Sequence, residues 1–170
     1  VLAAWRWREI SRPGSVSPEH RQRLVSQSLN QPESGPLLIA LRWAAERDDS
    51  DLLPQIESCL SKPNPSPEVF RAIVATASYL RSGTAKSGVR DPAREELVLS
   101  VARDQQQPAN IRAMAARMIP AVAKQPNAEQ LESWIRSTDY EPLHQEIVAL
   151  LQQRKQPEDV DLLMRIASDS

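Results

Sequence analysis

"EIVALLQQRKQPEDVDLLMRIAS", Glu146–Ser168, and "IALRWAAERDDSDLLPQIES", Ile39–Ser58, are one phrase written twice. Each holds an apolar run at helical spacing that ends in arginine (Arg154, Arg47), a few polar residues, an acidic residue (Glu158, Asp51) and a second apolar run. A phrase that recurs in this way marks a structural unit used more than once. The rest of the chain shows how often. Leu37, Leu38, Leu41, Ala44 and Ala45 form one stripe; Val69, Ile73, Ala77 and Leu80 a second; Ile111, Met114, Ala115 and Met118 a third; Leu143, Ile147, Leu150 and Leu151 a fourth. Each stripe lies on one face of a helix, and strand-like alternation is absent.

Prolines stand at the head of these four helices, at Pro36, Pro67, Pro108 and Pro142, with spacings of 31, 41 and 34 residues. A first helical turn needs no N–H from its leading residue and suits proline's fixed φ. Ahead of each lies a shorter apolar helix, over 17–29, 51–61, 92–103 and 127–137, and a last one covers 157–168. Ser17, Asp51, Asp91, Asn127 and Glu158 stand at their starts, as capping or dipole-opposing residues. Two helices that cannot bury their faces alone, joined by a turn and repeated, predict an α-solenoid. The expected fold is all-α: nine to ten helices in antiparallel pairs, wound into a short right-handed superhelix. The expected organisation is one domain, residues 1–170, with repeats over 17–47, 50–82, 91–124 and 127–155 and partial repeats at 1–12 and 157–170.

Composition narrows the function. Of 170 residues 41% are hydrophobic and only 4% aromatic, so Leu, Ile, Val, Ala and Met must supply the core. Twenty-one basic residues against 22 acidic ones give a net charge of -1, which is not the footprint of a protein that grips nucleic acid by its phosphates. Seventeen of the basic residues are arginine, a skew that fits a GC-rich coding sequence better than a run of anion sites. The one cysteine, Cys59, excludes an intramolecular disulfide and sits at a core-facing position. No run of 18 apolar residues predicts a membrane span, and nothing reads as a signal peptide. The chain begins at Val1, inside an apparent helix, and reads as a segment of something longer.

Catalytic patterns are sparse. His20 and His144 have no metal-ligand spacing and read as surface residues. "GTAKSGVR", Gly83–Arg90, has the glycine spacing of a phosphate loop but lacks its Lys-Ser/Thr ending and follows a helix, not a strand. It belongs to "RSGTAKSGVRDP", Arg81–Pro92, which accounts for the long 41-residue spacing. With Arg81, Lys86 and Arg90 among small polar residues, that loop is a candidate interaction site. "DDSD", Asp48–Asp51, lacks the glycine and distal glutamate of a calcium loop and reads as capping. In "AAWRWREI", Ala4–Ile10, Trp5 and Trp7 point about 200° apart on a helix, so they cannot form one stacking platform for bases. Trp43 and Trp134 sit at core or groove positions. No catalytic residue, cofactor site or metal site is assigned.

The paired-helix pattern resembles HEAT repeats. "DLLPQIESCLSKPNPSPEVFRAIVATASYL", Asp51–Leu80, and "ELVLSVARDQQQPANIRAMAARMI", Glu96–Ile119, carry the proline-led second helix with Arg71 and Arg112 in the family's arginine position. Gln145 takes that place in "EPLHQEIVALL", and "GPLLIALRWAA" has no arginine there, so any arginine ladder is broken. A narrower resemblance joins "LRWAAERDDSDLLPQI", "DPAREELVLSVARDQQQPANIRAMAARMI" and "LLQQRKQPEDVDLLMRIASD" to the helical segment of large bacterial membrane-bound-dehydrogenase-like proteins. That family strings a β-propeller, a HEAT-like region and a c-type haem domain on one exported chain, which would place this segment in the periplasm or otherwise outside the cytoplasm. No C-x-x-C-H occurs here, so no haem site carries over.

The expectation is a non-catalytic scaffold or protein-interaction module that docks or spaces flanking domains of a larger, redox-type chain or other proteins, with no nucleic-acid partner and no membrane insertion. Its docking ends are expected at Trp5, with Leu2 and Ile10, and at Val160, Leu163, Met164 and Ile166. Two alternatives stand beside it: a concave-surface binder of a peptide or small ligand, and a HEAT-like enzyme such as a DNA glycosylase or chromophore lyase. A glycosylase needs a basic groove, which the charge balance speaks against; a lyase needs a ligand-sized concave pocket, which a sequence does not display.

Overall fold

The computed structural model describes residues 1–62, 65–82, 91–120 and 126–168, and among these every regular element is helical. The chain divides into two compact units, Val1–Arg94 and Glu95–Ser170.

The first unit holds α1 (Leu2–Ser11), α2 (Pro18–Leu29), α3 (Ser34–Arg47), α4 (Leu53–Ser58, flanked by 3₁₀ turns Ser50–Leu52 and Cys59–Ser61) and α5 (Pro67–Ser82). α2 packs on α3 and α4 on α5, as consecutive partners should. In addition α1 packs on α3, α3 on α5 and α2 on α4, so each helix also covers the one two places along. Trp43, Leu41, Ile56, Phe70 and Ile73 are fully buried between them. Each such side chain contributes about 1.5–3 kcal/mol by leaving water. Cys59 is buried as well. Its thiol donates to the carbonyls of Leu29 at 3.6 Å and Gln55 at 3.4 Å, and burial pushes its pKa up.

The second unit continues α6 (Pro92–Arg103), which begins at the boundary, and adds α7 (Ala109–Arg117), α8 (Ala128–Arg136), α9 (Glu141–Arg154) and α10 (Pro157–Ser168). Here α8 packs on α9 and α9 on α10, while α7 packs on α9 and α8 on α10. The proline-led α7 is shorter than α6, 9 residues against 12, contrary to the long-second-helix pattern. Pro120 is the reason, because the residue before a proline is pushed out of the α region. α7 is buried almost all round, through Ile111, Ala113, Ala115 and Ala116, and Met114 and Met118 are only half-buried.

The predicted caps are present at three of five helices. Ser17 Oγ accepts from the His20 amide at 3.2 Å, Asp91 Oδ1 from those of Ala93 and Arg94, and Asn127 and Gln130 form a reciprocal capping box. Asp51 and Glu158 make no cap bond but stand as acids in the first turns of their helices, the dipole-opposing place; Ser66 Oγ, unforeseen, caps α5 through the Val69 amide at 3.2 Å.

The twin phrases meet the same event. α3 and α9 both end on a left-handed residue directly after the arginine, Asp48 at φ 53° and Lys155 at φ 54°. After α3 the Asp49 amide donates to Ala44 O at 3.0 Å and the Asp48 amide to Ala45 O at 3.3 Å, the paired bonds of a Schellman ending. After α9 the single Lys155 to Leu151 bond of 3.4 Å closes the simpler left-handed turn. The two arginines then differ in direction. Arg47 reaches back to Glu9 at 2.9 Å instead of forward to Asp51, whereas Arg154 reaches forward, its Nε 3.0 Å from Asp159 and another nitrogen 3.6 Å from Glu158. Asp49 meanwhile takes both nitrogens of Arg21, at 3.1 and 2.9 Å.

Glu9 is the most heavily engaged carboxylate. It is 3% exposed and accepts from the amides of Gly14 (3.2 Å) and Val16 (3.0 Å) besides Arg47. Gly14 sits at φ 81°, a turn closed to ordinary side chains, and this turn brings both amides to the carboxylate. Burial pushes the Glu9 pKa up; the two amides, then Arg47 and Arg21, outweigh it and hold it below the ordinary 4.5.

Two predictions follow from these junctions. Lys155→Gly removes the left-handed penalty and raises stability by about 0.5–1 kcal/mol in urea denaturation, while Lys155→Ala gives no gain. For Glu9, a lowered folded-state pKa means its stabilisation is complete above the unfolded pKa and is lost as pH falls below about 4.5. Glu9→Gln therefore lowers the midpoint at pH 7 and flattens the acid limb of the stability–pH curve measured by circular dichroism.

Candidate functional site

The sequence-derived candidates fall in three places. Arg81, at the end of α5, pairs with Glu57 of α4 at 2.7 Å and so fastens its own unit. Lys86 and Arg90, like the rest of the Gly83–Arg90 loop, lie outside the described residues.

At α1, Leu2 is buried and Trp5 is half-buried, which corrects the expectation that they form an outward face. The Trp5 ring meets His20 edge-on at a centroid distance of 4.8 Å and carries the Arg8 guanidinium 5.2 Å from its centre. Trp7 and Ile10 are the outward apolar residues, 70% and 50% exposed. With Ala3 they stand at i, i+4 and i+7, one stripe along the helix. Ala3 also lines a groove of about 590 Å³ with Leu2, Leu24, Pro36 and Ile39, beside α2 and α3. Among the charges of α1, Glu9 points inward to Arg47, and Arg6, with Arg42, is tied to Glu46, whose carboxyl is held below its usual range chiefly by the Arg6 hydrogen bond. Arg8 and Arg12 remain on the exposed side.

At α10, Val160 and Met164 are 58% and 66% exposed, Leu163 and Ile166 are half-buried, and Leu162 is buried. The inward face is thus Asp159, Leu162 and Ile166. Arg165 crosses to Glu132 of α8 at 3.2 Å, and Asp159 is buried against Arg154, leaving Glu158 and Asp161 exposed.

The histidines are structural, not free surface groups as expected. His20 packs on Trp5, and His144 Nε2 lies 2.7 Å from Thr138 O and 3.1 Å from Ile135 O, donating to the carbonyl end of α8. Trp43 and Trp134 are buried core residues. The two arginines at the HEAT position separate: Arg71 is exposed, whereas Arg112 is 2% exposed, its Nε donating to Ala102 O at 3.0 Å and its Nη1 to Ser137 Oγ at 2.7 Å. From α7 it therefore holds a carbonyl near the end of α6 and the Ser137 hydroxyl that caps the end of α8, where a cation is favoured by the helix dipoles. Burial pushes its pKa down, and Asp104 opposes this.

Among the described residues no three His, Cys, Asp or Glu side chains gather as a metal site would need, and no helix is long and apolar enough to cross a membrane. The first unit has a cleft of about 310 Å³ walled by Leu37, Cys59 and Val69 with Asn30, Ser34 and Ser66 at its polar side. The Lys62 ammonium at its edge already donates to the carbonyls of Leu29 and Gln31 and closes the end of α2.

The two faces of α10 predict opposite responses to one substitution. Leu162→Glu buries an unpaired charge and costs about 3 kcal/mol or more, seen as a lost or early thermal transition, while Met164→Glu stays within about 0.5 kcal/mol of the parent chain.

Compared with protein-family models, curated proteins and solved structures, the chain matches none.

Proposed function

We propose that this chain is a helical-repeat scaffold of HEAT type, which spaces and docks neighbouring domains of a larger protein and carries out no chemistry itself. The observation that supports it is the packing order. In the first unit proline-led α3 and α5 lie against each other with α1 on α3, and α2 lies on α4; in the second α7 lies on α9 and α8 on α10. Covering each helix by the one two places along is how stacked helix pairs build a continuous core from short pieces. That packing order within each unit supports the reading of an α-solenoid wound from antiparallel pairs, and the sequence resemblance to HEAT repeats points the same way. The exposed apolar residues of α1 in the first unit and of α10 in the second give each unit a face for docking in this reading. The resemblance to membrane-bound-dehydrogenase-like proteins supplies the redox character of the larger chain in this reading.

The cleft beside Leu37 and Val69 favours a second reading, a small-ligand binder, since its volume lies at the lower end of ligand pockets. Its titratable lining groups, Cys59 and Lys62, are already engaged, the thiol with the carbonyls of Leu29 and Gln55 and the ammonium with those of Leu29 and Gln31.

A spacer must hold its ends apart rigidly. With dyes at Gln105→Cys and Ser168→Cys, both exposed in the second unit, in a chain carrying Cys59→Ser, single-molecule energy transfer is expected to give one narrow distance distribution, unchanged between about 0.05 and 1 M salt. A broad, salt-dependent distribution, as from a flexible tether, contradicts the spacer role.

A further inference from the structure

The cleft of the first unit has its charge and its thiol already in use. Leu37, Cys59 and Val69, all buried, form its apolar wall, and Pro32 and Pro65 join the lining without an N–H to offer. The thiol of Cys59 is engaged with the carbonyls of Leu29 and Gln55. Lys62 is the one charged residue of the described lining, and its ammonium donates to the carbonyls of Leu29 and Gln31, at the end of α2 where the helix dipole is negative. What the lining leaves free is uncharged. The side-chain amides of Asn30 and Gln31 and the hydroxyl of Ser34 make no hydrogen bond among the described residues. Ser66 Oγ accepts from the Val69 amide and keeps its own proton to donate. We propose that this cleft binds a small uncharged molecule with an apolar body and an amide head, the body against Leu37, Cys59 and Val69 and the head among Asn30, Ser34 and Ser66.

The head follows from what the polar side offers. The Ser66 proton needs an acceptor and the side-chain oxygens of Asn30 and Gln31 need donors, and an amide supplies both. A carboxylate head would have to draw Lys62 away from the α2 carbonyls, and an ammonium head would lie beside Lys62 with no carboxylate in the described lining to pair with it. Each charged head therefore loses hydration without gaining a partner. A volume of about 310 Å³ takes a molecule of on the order of ten non-hydrogen atoms. The inference gives a ligand class to the small-ligand reading above and rests on it.

The test uses the whole chain and three probes that share a phenyl ring and differ in the head: benzamide, benzoate and benzylamine. Followed by the methyl resonances of Leu37 and Val69 at neutral pH, benzamide is expected to saturate with a Kd of about 1 mM or below, and the two charged probes to bind at least about tenfold more weakly. Ser34→Trp, at an exposed position on the polar side, plugs the cleft and is expected to abolish the benzamide shifts with far-UV circular dichroism unchanged. Gln31→Trp is a second, independent plug with the same expectation. Benzoate or benzylamine binding at these methyls as tightly as benzamide overturns the amide class and leaves the small-ligand reading standing. No saturable shift from any of the three up to about 20 mM overturns both. Benzamide shifts that persist in both plugged variants place the molecule outside the cleft and overturn the proposal as well. The spacer reading is separate from all of these outcomes and stands or falls on the energy-transfer distribution.

Discussion

Isolated helices of 9 to 16 residues, the range of α5 and α7–α10 here, are marginal in water, because nucleating a helix costs more than a few turns return. Each must cover its apolar face to exist. Much of that cover comes from two neighbours: α3 lies against α2 and α5, α5 against α4 and α3, and α9 against α8 and α7. The low aromatic content follows from that arrangement. Closely packed helix layers take Ala, Leu, Ile and Val, as at Ala40, Ala44, Ala77, Ala115 and Ala116, all with no exposed surface. Bulk is admitted only at a few places such as Trp43, Phe70 and Trp134.

Charge then sets where the layers turn. Of the charged side chains buried among the described residues, Glu9, Glu95, Arg112 and Asp159, three, Glu9, Arg112 and Asp159, bind at helix ends or turns. Glu9 gathers the Gly14 and Val16 amides and Arg47; Arg112 joins the Ala102 carbonyl of α6 to the Ser137 hydroxyl at the end of α8; Asp159 is held by Arg154 at the α9–α10 turn. A buried charge stripped of its partner costs several kcal/mol, so each of these groups penalises any other register of the turn it sits in. They contribute specificity of packing more than net stability.

This explains which features were legible in the sequence. Proline-led starts, polar caps and the stripes of α5 and α9 could be read directly, since they are local and periodic. The left-handed turns could not: Asp48 and Lys155 stand where glycine is the usual signal. The inward face of α10 was hidden for a related reason. Asp159 breaks the apolar stripe that it shares with Leu162 and Ile166, and attention passes to Val160, Leu163 and Met164, two of which face outward. Glu9 was hidden because its partners are loop amides and an arginine 38 residues away. For the docking faces, the sequence shows that apolar residues exist at both helices. Only the packing separates Trp7 from Trp5 and Met164 from Leu162.

The functional reading depends on helices that are held by neighbours and not by one shared core. Native-state hydrogen exchange on the second unit measures that dependence helix by helix. The account predicts that the amides of α10, covered on one side only, exchange through an opening that leaves α7 and α9 protected, with α7 and α9 opening at higher free energy. A single common opening free energy for α7 through α10 would show one indivisible core and would contradict the account.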